Sequence, residues 1–140
     1  MAAWVKQLRA TRNGDGTFGA GDGQARETGS AIVALLRLGD AVSNAENVLG
    51  ALKAGQRADG GFGKQDSRTS DLETSYRVMR AFYMLRAMPN TTAMKKFVSQ
   101  CRNSDGGYGL ALGQPSNVSA TYFAASISHW ISDISSGAKD

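Results

Sequence analysis

Glu73, Arg77 and Arg80 stand four and three residues apart in SDLETSYRVMRAFYMLRAM, residues 70–88. On a helix that spacing gathers one carboxylate and two guanidiniums on one face. Such a group supports two kinds of chemistry. Glu73 with Arg77 is an i,i+4 surface ion pair, worth about 0.2–0.5 kcal/mol. The two arginines also offer planar donor forks of the kind that grip phosphate oxygens. Tyr76 lies among them, and Tyr122 takes the equivalent place in a later, similar segment. The other reactive side chains read more plainly. Cys101 falls on an apolar helical stripe with no identifiable base, which predicts a buried structural thiol rather than a nucleophile. His129, beside Trp130, reads as a packed or partly exposed imidazole. The stretch TRNGDGTFGAGD places Asn13, Asp15, Gly16, Phe18 and Asp22 at calcium-loop spacing. Thr11 stands where the first aspartate belongs and Asp22 where the bidentate glutamate does, so calcium is not expected.

The elements that position these residues come from a repeat. RNGDGTFGA, RADGGFGKQ and RNSDGGYGL carry Asp15, Asp59 and Asp105 at spacings of 44 and 46 residues. Around each copy the pattern is an amphipathic helix, a glycine turn, then a more buried helix. In the middle unit Val42, Ala45, Val48, Leu49 and Leu52 form one stripe, and the turn AGQRADGGFG stops it. Ser70 or Asp71 then caps a helix whose apolar residues cover a wide arc: Leu72, Tyr76, Met79 and Tyr83, with Val78, Phe82 and Leu85 beside them. The third unit repeats this. Asn90 or Thr91 caps a helix bearing Met94, Phe97, Val98 and Cys101, and 118–134 supplies the buried partner. The first unit is shorter, with Trp4, Val5 and Leu8 before the turn and Ile32, Val33, Leu35, Leu36 and Leu38 after it. Phe18, Phe62 and Tyr108 are expected to plug the space between pairs, and the turn aspartates to accept turn amides. The reading is all-α, a single domain of three units at about 1–40, 41–88 and 89–136.

Composition narrows the function classes. The chain has 140 residues, 41% hydrophobic and 20% charged, with a formal charge of +4. Its basic residues lack aromatic interleaving, so nucleic acid is not an expected partner. No apolar run approaches the roughly 20 residues of a membrane span. The N-terminus has neither a long apolar segment nor a cleavage-like site, and a cytoplasmic setting is the default expectation. One cysteine excludes an internal disulfide and a multi-cysteine zinc site.

Helix, then D-G-G-F/Y-G, then a buried helix beginning at a polar cap, resembles the repeat of protein prenyltransferase β subunits and of squalene and terpene cyclases. The most specific parts are DGGFG with DLETSYRVMRAFYML and DGGYG with NVSATYFAASI. The resemblance implies an α/α toroid, with outer and inner helices alternating around an apolar cavity. A complete toroid takes about twice the hairpins seen here, so a half-toroid of about six helices is expected. The chain is then either part of a longer protein or a minimal member that associates with itself or with a partner subunit. The exposed ends of such a stack, Trp4, Val5 and Leu8 on one side and 118–134 on the other, predict a homo-oligomer or partner subunit.

The resemblance also implies sites, residue by residue. Protein prenyltransferases hold zinc through a D-x-C motif at one inner-helix start and a histidine at a later one. Asp71 matches the aspartate, but Glu73 stands at the cysteine position and Ala120 at the histidine position. The first unit's Arg26 and Glu27 supply neither. A catalytic zinc site needs its protein ligands and an open position, so no zinc and no other cofactor is expected. The D-x-D-D acid motif and the D-D-x-x-D pattern of the cyclases are absent, as is the G-C-G-E-Q motif of thioester toroids. Gln56 loosely fits the cyclase repeat, whose tryptophan is replaced by Phe or Tyr. The resemblance implies an isoprenoid or other apolar ligand, with Tyr76 and Tyr122 lining its pocket. Glu73, Arg77 and Arg80 would border the mouth, where the arginines suit a diphosphate. Two functions stay open: a noncatalytic ligand-binding or assembly module, and a fragment or subunit of an isoprenoid-processing enzyme.

Overall fold

One turn string serves three times because the same hydrogen bonds close each copy. A computed structural model describes residues 2–137 of the chain. In each turn the aspartate accepts the backbone N–H two residues on: Asp15 from Thr17 at 3.0 Å, Asp59 from Gly61 at 2.9 Å and Asp105 from Gly107 at 2.9 Å. A hydroxyl donates to the same oxygen, from Thr17 at 2.6 Å, Ser70 at 2.7 Å and Ser116 at 2.7 Å. The hydroxyl, then the turn amide, hold the Asp15 and Asp105 carboxyls below the usual carboxylate range. The next residue is the aromatic. The backbone N–H groups of Phe18, Phe62 and Tyr108 donate to the hydroxyls of Thr28, Ser75 and Thr121 at 3.0, 3.0 and 3.1 Å. Each turn is thereby pinned to the helix that follows it.

Six α-helices are described: α1 (Ala2–Ala10), α2 (Gln24–Arg37), α3 (Ala45–Ala54), α4 (Leu72–Met84), α5 (Thr91–Gln100) and α6 (Val118–Gly137). A 3-10 turn, Gly21–Gly23, leads into α2, and no strand occurs among the described residues. Asp71, not Ser70, caps α4: its Oδ1 accepts the Thr74 N–H at 2.6 Å and its Oδ2 the Thr74 hydroxyl at 3.0 Å. Asn90 caps α5 through the Ala93 N–H at 3.0 Å, and Asn117 receives the Ala120 N–H of α6 at 2.8 Å. In each case the extra helical donor is satisfied by a side chain standing just outside the helix. The stripe beginning at Val42 is corrected at its start. Asn44 adopts φ 56 and α3 begins at Ala45, leaving Val42 as a loop residue packed on the core.

Packing sorts the helices into two rows. The inner helices lie side by side, α4 touching both α2 and α6, while α1 and α3 pack on α2 and α5 on α6. Between the rows sit Ile32 and Leu35, Val48 and Leu52, Leu72, Val78, Met79 and Phe82, Met94, and Ile127 and Ile131, all fully buried. Burial of each such side chain is worth about 1.5–3 kcal/mol relative to exposure. Phe18 and Phe62 are buried plugs, whereas Tyr108 at the last turn is half-buried. Two polar ties fix the outer row. Gln56 donates to the Gly60 and Asn90 carbonyls at 2.8 and 3.0 Å and accepts the Asn90 N–H at 3.0 Å, joining the second turn to α5. Arg9 forks onto Asp40, tying α1 to the segment before α3. The molecule is an all-α, half-toroid stack of three helical hairpins.

Candidate functional site

The less buried arc of α4 carries Glu73, Tyr76, Arg77, Arg80 and Tyr83. The helix presents them together because the rest of its surface, with Leu72, Val78, Met79 and Phe82, is committed to the core. Neighbouring inner helices complete two groups around this arc.

The first group is aromatic. Tyr76 and Tyr122, picked out as equivalent positions, are brought together with ring centroids 5.8 Å apart. Tyr76 also lies 4.8 Å from Phe123 and 5.2 Å from Trp130, and Trp130 stacks on Tyr83 at 5.7 Å. Burial, then the hydroxyl of Tyr122, raise the Tyr76 pKa. The Tyr83 hydroxyl donates to Asp133 Oδ2 at 2.6 Å. Arg80 belongs to this group, its guanidinium 5.4 Å from the Tyr76 ring centroid, a cation–π contact of about 0.5–1 kcal/mol at a partly exposed site.

The second group is ionic and faces α2. Arg77 Nε stands 3.6 Å from Glu73 Oε1, an i,i+4 ion pair too long for a hydrogen bond. Arg26 of α2 reaches the same Glu73 oxygen at 3.3 Å and the Thr74 hydroxyl at 3.4 Å. Arg77 and Arg80 are therefore turned to different partners. Both keep a buried Nε with no hydrogen-bond partner among the described residues. Arg26 and Arg77 border an open cleft of about 510 Å3, whose apolar lining comes from Leu8, Phe18, Ala31 and Ala34. Sequence reasoning passed over Arg26 as a site residue. The hydroxyl pins at Thr28 and Ser75 place it at the position of Glu73 in the first unit, an equivalence of 47 residues that the 44-residue spacing of the turn aspartates did not supply.

The positions that the resemblance aligned with zinc ligands are engaged otherwise or carry no donor. Both oxygens of Asp71 are occupied in capping α4, Glu73 is held by Arg26, and Ala120 offers no donor atom. Among the described residues no cluster of three His, Cys, Asp or Glu side chains forms a potential metal site. Asp15, the best of the calcium-loop residues, is engaged by the Thr17 amide and hydroxyl. Cys101 is buried, and burial, helped by Asp59 and Asp71, pushes its thiol up to about 11. His129 is exposed on α6, and Asp133 one turn on serves Tyr83 instead. No helix among the described residues is long and apolar enough to cross a membrane.

Alternating outer and inner helices, joined by pinned glycine turns and stacked through an inner row, define the α/α-toroid class of helical repeat. The prenyltransferase alpha-alpha toroid domain matches residues 1–139, and the chain belongs to that family. No curated protein matches it in sequence.

Proposed function

We propose that this chain is a noncatalytic binding module for an anionic amphiphile of the isoprenoid-diphosphate type. The observation that carries the reading is the pair of incompletely satisfied guanidiniums, Arg77 and Arg80, beside a continuous aromatic surface. Tyr76, Tyr122, Phe123 and Trp130 would take the hydrocarbon, and the terminal guanidinium N–H groups of Arg77 and Arg80 the diphosphate. Glu73 holds Arg77 and Arg26 in place rather than meeting the ligand. Titration with farnesyl or geranylgeranyl diphosphate is expected to show binding that Arg77→Ala and Arg80→Ala each weaken about tenfold, the scale of one charge-assisted hydrogen bond. A wild-type chain that binds neither compound at high micromolar concentration refutes the reading.

The module works without the zinc of its relatives. Elemental analysis of purified protein is expected to find no stoichiometric zinc, because Glu73 and Ala120 replace the thiolate and imidazole ligands. One tightly held zinc per chain would overturn this and direct the search to Asp71, Glu73 and His129. The exposed apolar residues at the two ends of the stack, Trp4 on α1 and Val118 and Tyr122 on α6, further support a module that functions as an assembly.

A further inference from the structure

The three hydroxyl pins, Thr28, Ser75 and Thr121, set α2, α4 and α6 in register. In that register Leu72, Tyr76, Met79 and Tyr83 of α4 correspond to Val118, Tyr122, Ala125 and His129 of α6. The α4 set is satisfied. Leu72 and Met79 are fully buried, while Tyr76 and Tyr83 stack on α6. The α6 set is bare, with Val118 88% and Tyr122 58% exposed and Ala125 and His129 exposed as well. A shallow recess of about 530 Å3 runs beside Val118, Tyr122 and Ala125.

The opposite end of the stack carries the complementary vacancy. At the α2–α4 junction, Gly29 seats against Arg77, Val78 and Ala81 of α4: a Cβ on Gly29 would lie 3.5–3.6 Å from the nearest atoms of those three residues. Their counterparts on α2 are Ser30, Ala31 and Ala34. Inside a longer stack these would receive the preceding inner helix. Here they line the cleft of about 510 Å3 instead. One end therefore presents an apolar stripe with a protruding tyrosine, and the other a cleft floored by small residues and rimmed by Arg26, Glu27 and Arg77. They are the two halves of a junction the chain already makes twice within itself.

We propose that a second copy of this chain covers α6, seating its own α2 on the Val118–Tyr122–Ala125 stripe, head to tail. This rests on the assembly reading above and adds the orientation and the residues. The contact is heterologous, so it either closes or polymerises. Two copies of a half-toroid stack so joined close with both junctions formed, each α6 stripe meeting the other copy's α2. No charged side chain on the α6 stripe opposes the contact.

Sedimentation and light scattering across a dilution series are expected to give about twice the 14.8 kDa chain mass. Val118→Glu and, separately, Ala34→Lys should each raise the dissociation constant at least tenfold. Val118 occupies the first position of α6, where an acidic residue favours the helix, so that variant keeps its fold. Circular dichroism checks both variants, and Ala31→Lys carries the α2 arm if Ala34→Lys loses helix. Mixing the Val118→Glu and Ala34→Lys chains should restore association above either alone, because one unaltered junction then remains. A dimer lost with Val118→Glu but untouched by the α2 substitutions pairs α6 with α6 and overturns the head-to-tail contact alone. A dimer indifferent to both also overturns it. A monomer at tens of micromolar sinks this contact and the assembly reading together.

Discussion

Phe62→Ala is expected to destabilise the fold by about 3–5 kcal/mol, the range for emptying a fully buried aromatic site. Phe62 is 1% exposed, its ring 6.4 Å from that of Phe82. Its backbone is equally committed: the N–H donates to Ser75 and the carbonyl accepts from Asp71. That carbonyl anchors the residue that caps α4, so the turn and the helix cannot readily collapse into the cavity. For a chain of this length such a loss lowers the melting temperature by on the order of 10 °C. Denaturant unfolding followed by circular dichroism measures it. The matching truncation at Tyr108 should cost clearly less, since that ring is half-buried at the last turn. Equal losses at the two sites would refute the idea that the middle plug organises the stack.

Gly60→Ala should be nearly as severe, at about 2–5 kcal/mol, while Gly106→Ala costs about 1–2 kcal/mol. The two glycines hold the same place in their turns, with φ +93 and +87. Both substitutions meet the left-handed backbone penalty, which L side chains pay in full. The difference is what lies above them. A Cβ on Gly60 would be driven into the carbonyl oxygen of Ala93 in α5, whereas one on Gly106 meets nothing within 4 Å. The Ala93 oxygen belongs to a helix backbone, so it cannot swing away as a side chain would. Unfolding midpoints of the two variants decide the matter. Parity between them would mean that α5 shifts freely over the second turn.

These contrasts mark where sequence reasoning stops. The turns were legible because their chemistry is local: an aspartate two residues before the amide it accepts, and glycine where φ is positive. The helices and their apolar faces were legible from three- and four-residue spacing, which also paired Tyr76 with Tyr122 by position. Boundaries were less secure. Asn44, a residue type at home in left-handed backbone and at helix starts, delays α3, and the apolar spacing that begins at Val42 masked it.

What lies across helices was invisible. Glu73 and Arg77 form the expected i,i+4 pair, but Arg26 joins them from 47 residues away. Arg77 and Arg80 share a helical face, yet one turns to Glu73 and the other stacks on Tyr76. Asp71, aligned with a metal ligand by its place in the motif, is spent on the helix cap. The string DG with a following aromatic appears three times, but Phe62 lies inside the stack and Tyr108 at its end. Local sequence sets which dihedrals and which helix faces are favourable, because those energies depend on near neighbours along the chain. The value of a side chain at a given spot depends on what packs against it, and in a stack that is set by how many hairpins lie on either side.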